Sequence, residues 1–223
     1  MKLHEETTPH GRWYDDACGT AFAMELVGER WSLLIVRELL FGPLRFSDLR
    51  KGLPGISAKV LTERLTGLAE AGILVRRRLD PPSAAQVYEL TRWGQAADVA
   101  IMELGRWAAL SSRHDPSLPL SPASLMMSFR TMIDSEAASG FDADLGFVVA
   151  GQAFRADVSN GALTIVRGPV EGAQAILTAP CAPPIAAHVY NAIPLSEPPV
   201  DLAGDAALMA RFIGLVSLPE KMA

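Results

Sequence analysis

The sequence predicts an α+β fold in two parts, and three observations carry that expectation. Apolar residues recur at helical spacing over 18–113, around one short hairpin pattern. Apolar and polar residues alternate over 142–179, as strands with one buried face require. Between them lies HDPSLPLSPAS, whose Pro and Ser content is linker chemistry. The division is expected near residue 116, giving a first domain over 1–115 and a second over 116–223.

CGTAFAMELVGERW opens the first part with a helix from about Cys18 to Gly28, with Phe22, Leu26 and Val27 as its apolar face. A second helix in RWSLLIVRELLFG carries Trp31, Leu34, Ile35 and Leu39 and stops at Gly42–Pro43. RFSDLRKGLPG is a short third helix ended by Gly52 and Pro54. Ser57 is a good N-cap for a fourth, Ala58–Ala71, which ends at Gly72. In it Leu61, Leu65 and Leu68 form one stripe, and Lys59, Thr62, Glu63 and Thr66 fall opposite. ILVRRRL alternates into a strand, Pro81, Pro82 and Ser83 make the turn region, and QVYEL returns. TRWGQAADVAIMELGRWAAL reads as one long closing helix, with Trp93, Ala97, Ile101, Leu104 and Trp107 at helical spacing. Three short helices, a two-stranded hairpin and a closing helix make the winged helix-turn-helix plan. In that plan one helix enters the major groove and the hairpin lays cations on the neighbouring phosphates.

The second part begins with DADLGFVVAGQAFRADVSNGALTIVRG, three strand runs separated by the turn signals AGQ and SNG. Leu145, Phe147 and Val149 alternate, as do Phe154, Ala156 and Val158, and Leu163 and Ile165. That is an antiparallel meander with one apolar face. AILTA is a fourth run. CAPPIAAHVYNAI reads as a helix with Pro183 and Pro184 in its first turn, VDLAGD as a short strand, and AALMARFIGLV as an apolar closing helix. A sheet with helices on one face is α+β.

Composition removes several classes. Of 223 residues, 49% are hydrophobic and 20% charged, which describes a soluble globular chain. The longest apolar runs, such as LLIV at 33–36, fall far short of a membrane span. MKLHEETTPHGRWYDD is polar and acidic, unlike the apolar centre of a signal peptide. Cys18 and Cys181 make no disulfide framework, so a reducing, cytoplasmic setting is expected. His4, His10, His114 and His188 are scattered without metal spacing, and no nucleophile-elbow, Walker A or dinucleotide motif occurs. Neither a cofactor nor an enzymatic activity is expected. Asp142 and Asp144, which alternate beside a turn, read as solvated rather than as a carboxylate pair.

The net charge of −5 hides an asymmetry. Between Arg45 and Arg78 stand eight cations (Arg45, Arg50, Lys51, Lys59, Arg64, Arg76, Arg77 and Arg78) against three acids, Asp48, Glu63 and Glu70. An excess so local points to an anionic partner such as double-stranded DNA. Arg76 and Arg78 share one face of a strand and Arg77 takes the other. Taken alone, the three fit a solvated, charge-blunted edge hairpin as well as a phosphate-binding wing. Ser57, Ala58, Lys59 and Thr62, at the start of the fourth helix, are candidates for groove contacts, with Ser57 serving also as cap. Arg45 and Ser47 are candidates for phosphate contacts. Arg64 borders the leucine stripe and suits either a phosphate or an internal pair with Asp48 or Glu25.

Residues 18–110 resemble the HxlR family of bacterial winged-helix transcription regulators. Cys18, ERWSLLIVREL, RFSDL, GISAKVLTERL, the Gly72-Ile73-Leu74 entry to the hairpin and YELT-x-x-G carry the likeness. The resemblance implies DNA binding as a homodimer, with the fourth helix and the wing on DNA and the first and last helices of the domain at the dimer seam. Cys18 matches a position that some members use for redox or electrophile sensing. A helix N-terminus favours its thiolate, whereas Asp15 and Asp16 oppose it, and a capping or packing role is the plainer account.

The region 122–218 resembles the sterol carrier protein-like domain, through its G-x-x-F-R-A-D-V-x-N-G-x-L hairpin, AILTA before a helix, and a strand-Gly-Asp-helix end. That implies a hollow between sheet and helices for a small apolar ligand, with Phe129, Met132, Phe147, Phe154, Tyr190 and Phe212 as candidate lining. The same residues also suit a filled core, with the domain only stabilising the dimer. Two functions stay open at this point. One is a dimeric, sequence-specific regulator of transcription, modulated by a ligand. The other is a lipid or metabolite carrier whose winged helix serves protein contacts.

Overall fold

The leucine stripe of the fourth helix organises the first half of the molecule. The computed structural model describes residues 14–80 and 83–222. The Pro81–Pro82 turn, His4 and His10 lie outside the described residues. The chain divides into two compact units, Met1–Ala97 and Asp98–Ala223.

The first unit runs α1 (Gly19–Val27), α2 (Ser32–Leu39), α3 (Phe46–Gly52), α4 (Ala58–Glu70), β1 (Leu74–Arg78), β2 (Gln86–Leu90) and α5 (Arg92–Gln95). Ser57 caps α4 by accepting the Val60 N–H at 3.2 Å. Leu61, Leu65 and Leu68 are buried as their spacing predicts, alongside Ile35, Val36 and Leu39 of α2, Leu49 of α3 and Leu74 of β1. Burying each such side chain is worth roughly 1.5–3 kcal/mol relative to exposure. The wing is an antiparallel pair that sets Leu74 opposite Leu90 and Arg76 opposite Tyr88. Leu44 and Tyr88 exchange backbone hydrogen bonds of 3.0 and 2.8 Å, which fastens the start of α3 to the wing.

Three helical expectations are corrected. The buried face of α2 is Ser32, Ile35, Val36, Glu38 and Leu39, while Leu34 is exposed and Trp31, left-handed at φ 82°, precedes the helix. Helix α1 buries no residue, and its Phe22 is exposed. The long closing helix is two, α5 and α6 (Asp98–Ala109). Thr91 caps α5 by accepting the Gly94 N–H at 3.0 Å, and a Cβ on Gly94 would meet the Ile73 carbonyl oxygen at 2.0 Å. Backbone contact with the wing thus holds α5, and the helix closes in a tight turn where the Ala97 N–H bonds the Gly94 carbonyl at 3.2 Å.

The second unit contains α6, α7 (Pro122–Met132), β3 (Ala143–Val149), β4 (Gln152–Ser159), β5 (Ala162–Arg167), β6 (Ala175–Ala179), α8 (Ala182–Tyr190), β7 (Asp201–Gly204) and α9 (Ala206–Gly214). Helix α7 adds to the elements expected. Its signals are a Ser121 cap, which accepts the Ser124 N–H at 2.9 Å, and Pro122 in the first turn. Arg130 of α7 donates to Asp98 at 3.0 Å and Arg106 of α6 donates to the Thr131 carbonyl at 2.6 Å. These bonds join α6 to α7, and both helices belong to the compact unit that begins at Asp98.

The sheet order is β5-β4-β3-β6-β7. The antiparallel meander is present, with two-residue turns at Ala150–Gly151 and Asn160–Gly161. One pair, β3 with β6, is parallel. The 168–174 connection makes this possible by crossing the sheet over Gly146, where a Cβ would lie 2.8 Å from Val170. The eight alternating residues from Leu145 to Ile165 are buried as expected. Phe129, Phe147 and Phe212 meet at the centre with ring centroids 5.3–5.8 Å apart.

Candidate nucleic-acid interface

Two surfaces of the first unit present polar and cationic groups outward. On α4, Ser57, Ala58, Lys59 and Thr62 are all exposed, opposite the buried leucines. Thr62 returns its hydroxyl proton to the Ala58 carbonyl at 2.9 Å, which leaves its oxygen and methyl facing out. Lys59 lies 3.9 Å from Glu63, an exposed contact that is worth little and leaves the ammonium available. The start of this helix offers small side chains, two hydroxyls and one exposed cation.

The wing sorts its three arginines. Arg76 and Arg78 share a face with Gln86 and Tyr88, and Arg77 takes the other face with Glu89. Arg76 donates to the Gln86 amide oxygen at 2.6 Å, and Arg78 to the Ala84 carbonyl at 3.1 Å. Both partners are neutral, so both guanidinium charges remain unbalanced. Arg77 instead pairs with the Glu89 carboxylate, and that hydrogen bond holds its pKa above the ordinary arginine value. Two of the three wing charges are therefore uncompensated. Gln86, Ser83 and Glu89, which orient these cations, were not expected from the sequence, because only the hairpin register brings them into reach.

Arg45, the N-cap of α3, donates to Ser83 at 3.2 Å and so stands beside the wing, with the neighbouring Ser47 exposed. Arg64 pairs with neither Asp48 nor Glu25. It donates to Glu29 at 2.7 Å and to the Arg30 carbonyl at 3.2 Å, a brace between α4 and the turn before α2. Arg45, Lys59, Arg76 and Arg78 remain as outward cations of the predicted set.

Cys18 is exposed at the N-cap of α1. The Thr20 N–H, the Thr20 hydroxyl and the Ala21 N–H favour its thiolate and pull the thiol below its ordinary pKa, although the side chain closes no capping hydrogen bond. Asp16 does not face the sulfur as a bare charge; its carboxylate accepts the Cys18 backbone N–H at 2.8 Å.

In the second unit the expected ligand lining is placed differently. Phe129, Phe147, Phe154 and Phe212 are fully buried and fill the core. Tyr190 bonds Ser128, and Met132 is half-buried at the end of α7. None of the six lines the cleft of about 690 Å³ that opens between β7, α9 and the 191–200 loop. Asp144 is not a solvated acid, since it forms a two-pronged ion pair with Arg155. Among the described residues no cluster of three His, Cys, Asp or Glu could hold a metal ion, and no helix is long and apolar enough to cross a membrane.

The comparisons with known proteins fall on the same part of the chain. A sequence profile described as HxlR-like helix-turn-helix matches residues 26–115. The HTH-type transcriptional regulator YodB of Bacillus subtilis is 37% identical over 86 residues, 39% of this chain and 77% of YodB. YvaP, also named an HTH-type transcriptional regulator of Bacillus subtilis, is 38% identical over 87 residues, 39% of this chain and 80% of its own length. Mb3122 of Mycobacterium bovis, named likewise, is 42% identical over 85 residues, 38% of this chain and 53% of its own. The outward α4 and cationic wing lie inside the matched segment, and the chain belongs to the HxlR-like helix-turn-helix family of DNA-binding transcriptional regulators.

Proposed function

We propose that the chain binds its operator as a homodimer, with α4 in the major groove and the wing on the flanking phosphates. The observation that carries this is the placement, in one unit, of the small and hydroxyl-bearing start of α4 with the two uncompensated wing arginines. Ser57, Ala58, Lys59 and Thr62 are assigned to the groove. Arg45, Ser47, Arg76 and Arg78 are assigned to phosphates. Arg77 and Arg64, engaged by Glu89 and Glu29, serve mainly to hold the wing and α4 in place.

Exposed apolar side chains support the dimer. Helix α1 leaves Phe22 and Met24 open, and α6 leaves Val99, Leu104 and Trp107 at 62, 46 and 71% exposure. Apolar side chains so clustered along a helix mark an interaction surface. The second unit is assigned a sterol carrier-like architecture that binds a small apolar ligand and so modulates the dimer.

Footprinting on the DNA upstream of the protein's own gene tests this. The expected result is two protected half-sites about one helical turn, roughly 34 Å, apart. Sedimentation should give a dimer that Leu104→Glu with Trp107→Glu converts to monomer. A monomeric parent protein, or one unbroken site of half that length, contradicts the proposal.

A further inference from the structure

We propose that the cleft beside β7 and α9 is the ligand site, and that it takes a small apolar molecule bearing a hydroxyl group, a phenol or an alcohol, rather than a carboxylate. This rests on the assignment of ligand binding to the second unit and supplies its place and chemistry. The cleft of about 690 Å³ suits a ligand of ordinary metabolite size. Its walls are mainly apolar, with Ile193, Leu202 and Ile213 among them, and its polar groups are His188, Ser196 and Asp201.

The polar groups decide the ligand's chemistry. His188, buried on α8, has its Nδ1 2.8 Å from the Ile193 carbonyl oxygen. A carbonyl can only accept, so Nδ1 carries the proton, and in the neutral ring Nε2 is a bare acceptor. Asp201, exposed at the start of β7, lines the same cleft, and its carboxylate makes no hydrogen bond or ion pair among the described residues. His188 Nε2 and the Asp201 carboxylate can only accept, and Ser196 can accept as well as donate, so a ligand that donates meets all three. A hydroxyl satisfies Nε2 with its proton, whereas a carboxylate brings no proton and meets the charge of Asp201. The His188–Ile193 bond also ties the 191–200 loop to α8, so the acceptor is held in place before a ligand arrives.

Calorimetric titration of the full chain in mildly alkaline buffer tests the proposal. The probes are para-tert-butylphenol against para-tert-butylbenzoate, and n-octanol against octanoate. The phenol and the alcohol should each bind about tenfold or more tighter than the matched carboxylate, the difference one satisfied hydrogen bond provides. Ala210→Phe, which fills the cleft from the exposed side of α9, should abolish binding. Asp201→Asn should narrow the preference. Carboxylates binding as tightly as their partners, binding undiminished in Ala210→Phe, or no binding of any probe would overturn the proposal. Operator affinity measured on the same samples separates the two assignments. A probe that binds as described but leaves operator affinity unchanged upholds the site and removes the modulation of DNA binding.

Discussion

At the scale of single residues, two titratable groups give separate tests of local geometry. The Cys18 thiol is drawn down by the Thr20 and Ala21 donors at the start of α1. More of it is thiolate at neutral pH, so Cys18 should alkylate faster than a free model thiol, and Thr20→Val should slow it. Equal rates would remove any sensing role for this position. Tyr190 behaves oppositely. Burial pushes its phenol up to about 12, against a Ser128 hydrogen bond that pulls it down. Its unfolded value is about 10. A raised folded pKa means that its stabilisation is complete below about pH 10 and is lost as the pH rises through about 12. An alkaline absorbance titration should show a late phenolate step that Tyr190→Phe removes; an identical curve in that variant contradicts the buried placement.

At the scale of elements, α4 depends on its cap. Ser57→Ala removes the acceptor of the Val60 N–H and should cost about 1 kcal/mol in denaturant unfolding, with Ser57→Gly costing only a few tenths. An undiminished midpoint in Ser57→Ala would show that the cap does not hold the helix. This element was legible in the sequence because Ser57, the Leu61-Leu65-Leu68 stripe and Gly72 are all local signals. The meander from Leu145 to Ile165 was legible for the same reason, since alternation is a property of neighbours. The break between α5 and α6 was not, because α5 is held by the Ile73 carbonyl against Gly94, a contact between distant residues. Nor was the division of labour in the wing: Arg77 finds Glu89, and Arg76 finds Gln86, only once the β1–β2 register is fixed. Leu34 misled because its spacing fits the apolar stripe of α2, while the structure turns Glu38 inward instead. The cleft was hidden because His188, Ser196, Asp201 and Ala210 are brought together by an irregular loop that has no periodicity to read.

Across the whole molecule, charge is unevenly divided. The first 115 residues balance acids and bases and concentrate their cations between Arg45 and Arg78, while the remainder carries the net −5. A phosphate backbone is attracted to that window and repelled by the rest, which favours one mode of approach over general adhesion. In the proposed homodimer the window would occur twice, so binding should respond to salt as the sum of two wings.

The salt dependence of binding to DNA from the protein's own promoter, measured by fluorescence anisotropy, tests whether Arg76 and Arg78 lie on phosphates. Log affinity should fall linearly with log salt, at about 0.9 per phosphate neutralised. Replacing Arg76 and Arg78 by Ala removes two cations from each protomer, four from the proposed dimer, and should lessen that slope by roughly 3.6, whereas Arg77→Ala changes it little. An affinity indifferent to salt, or a slope unchanged in the double variant, would show that the wing arginines do not lie on phosphates.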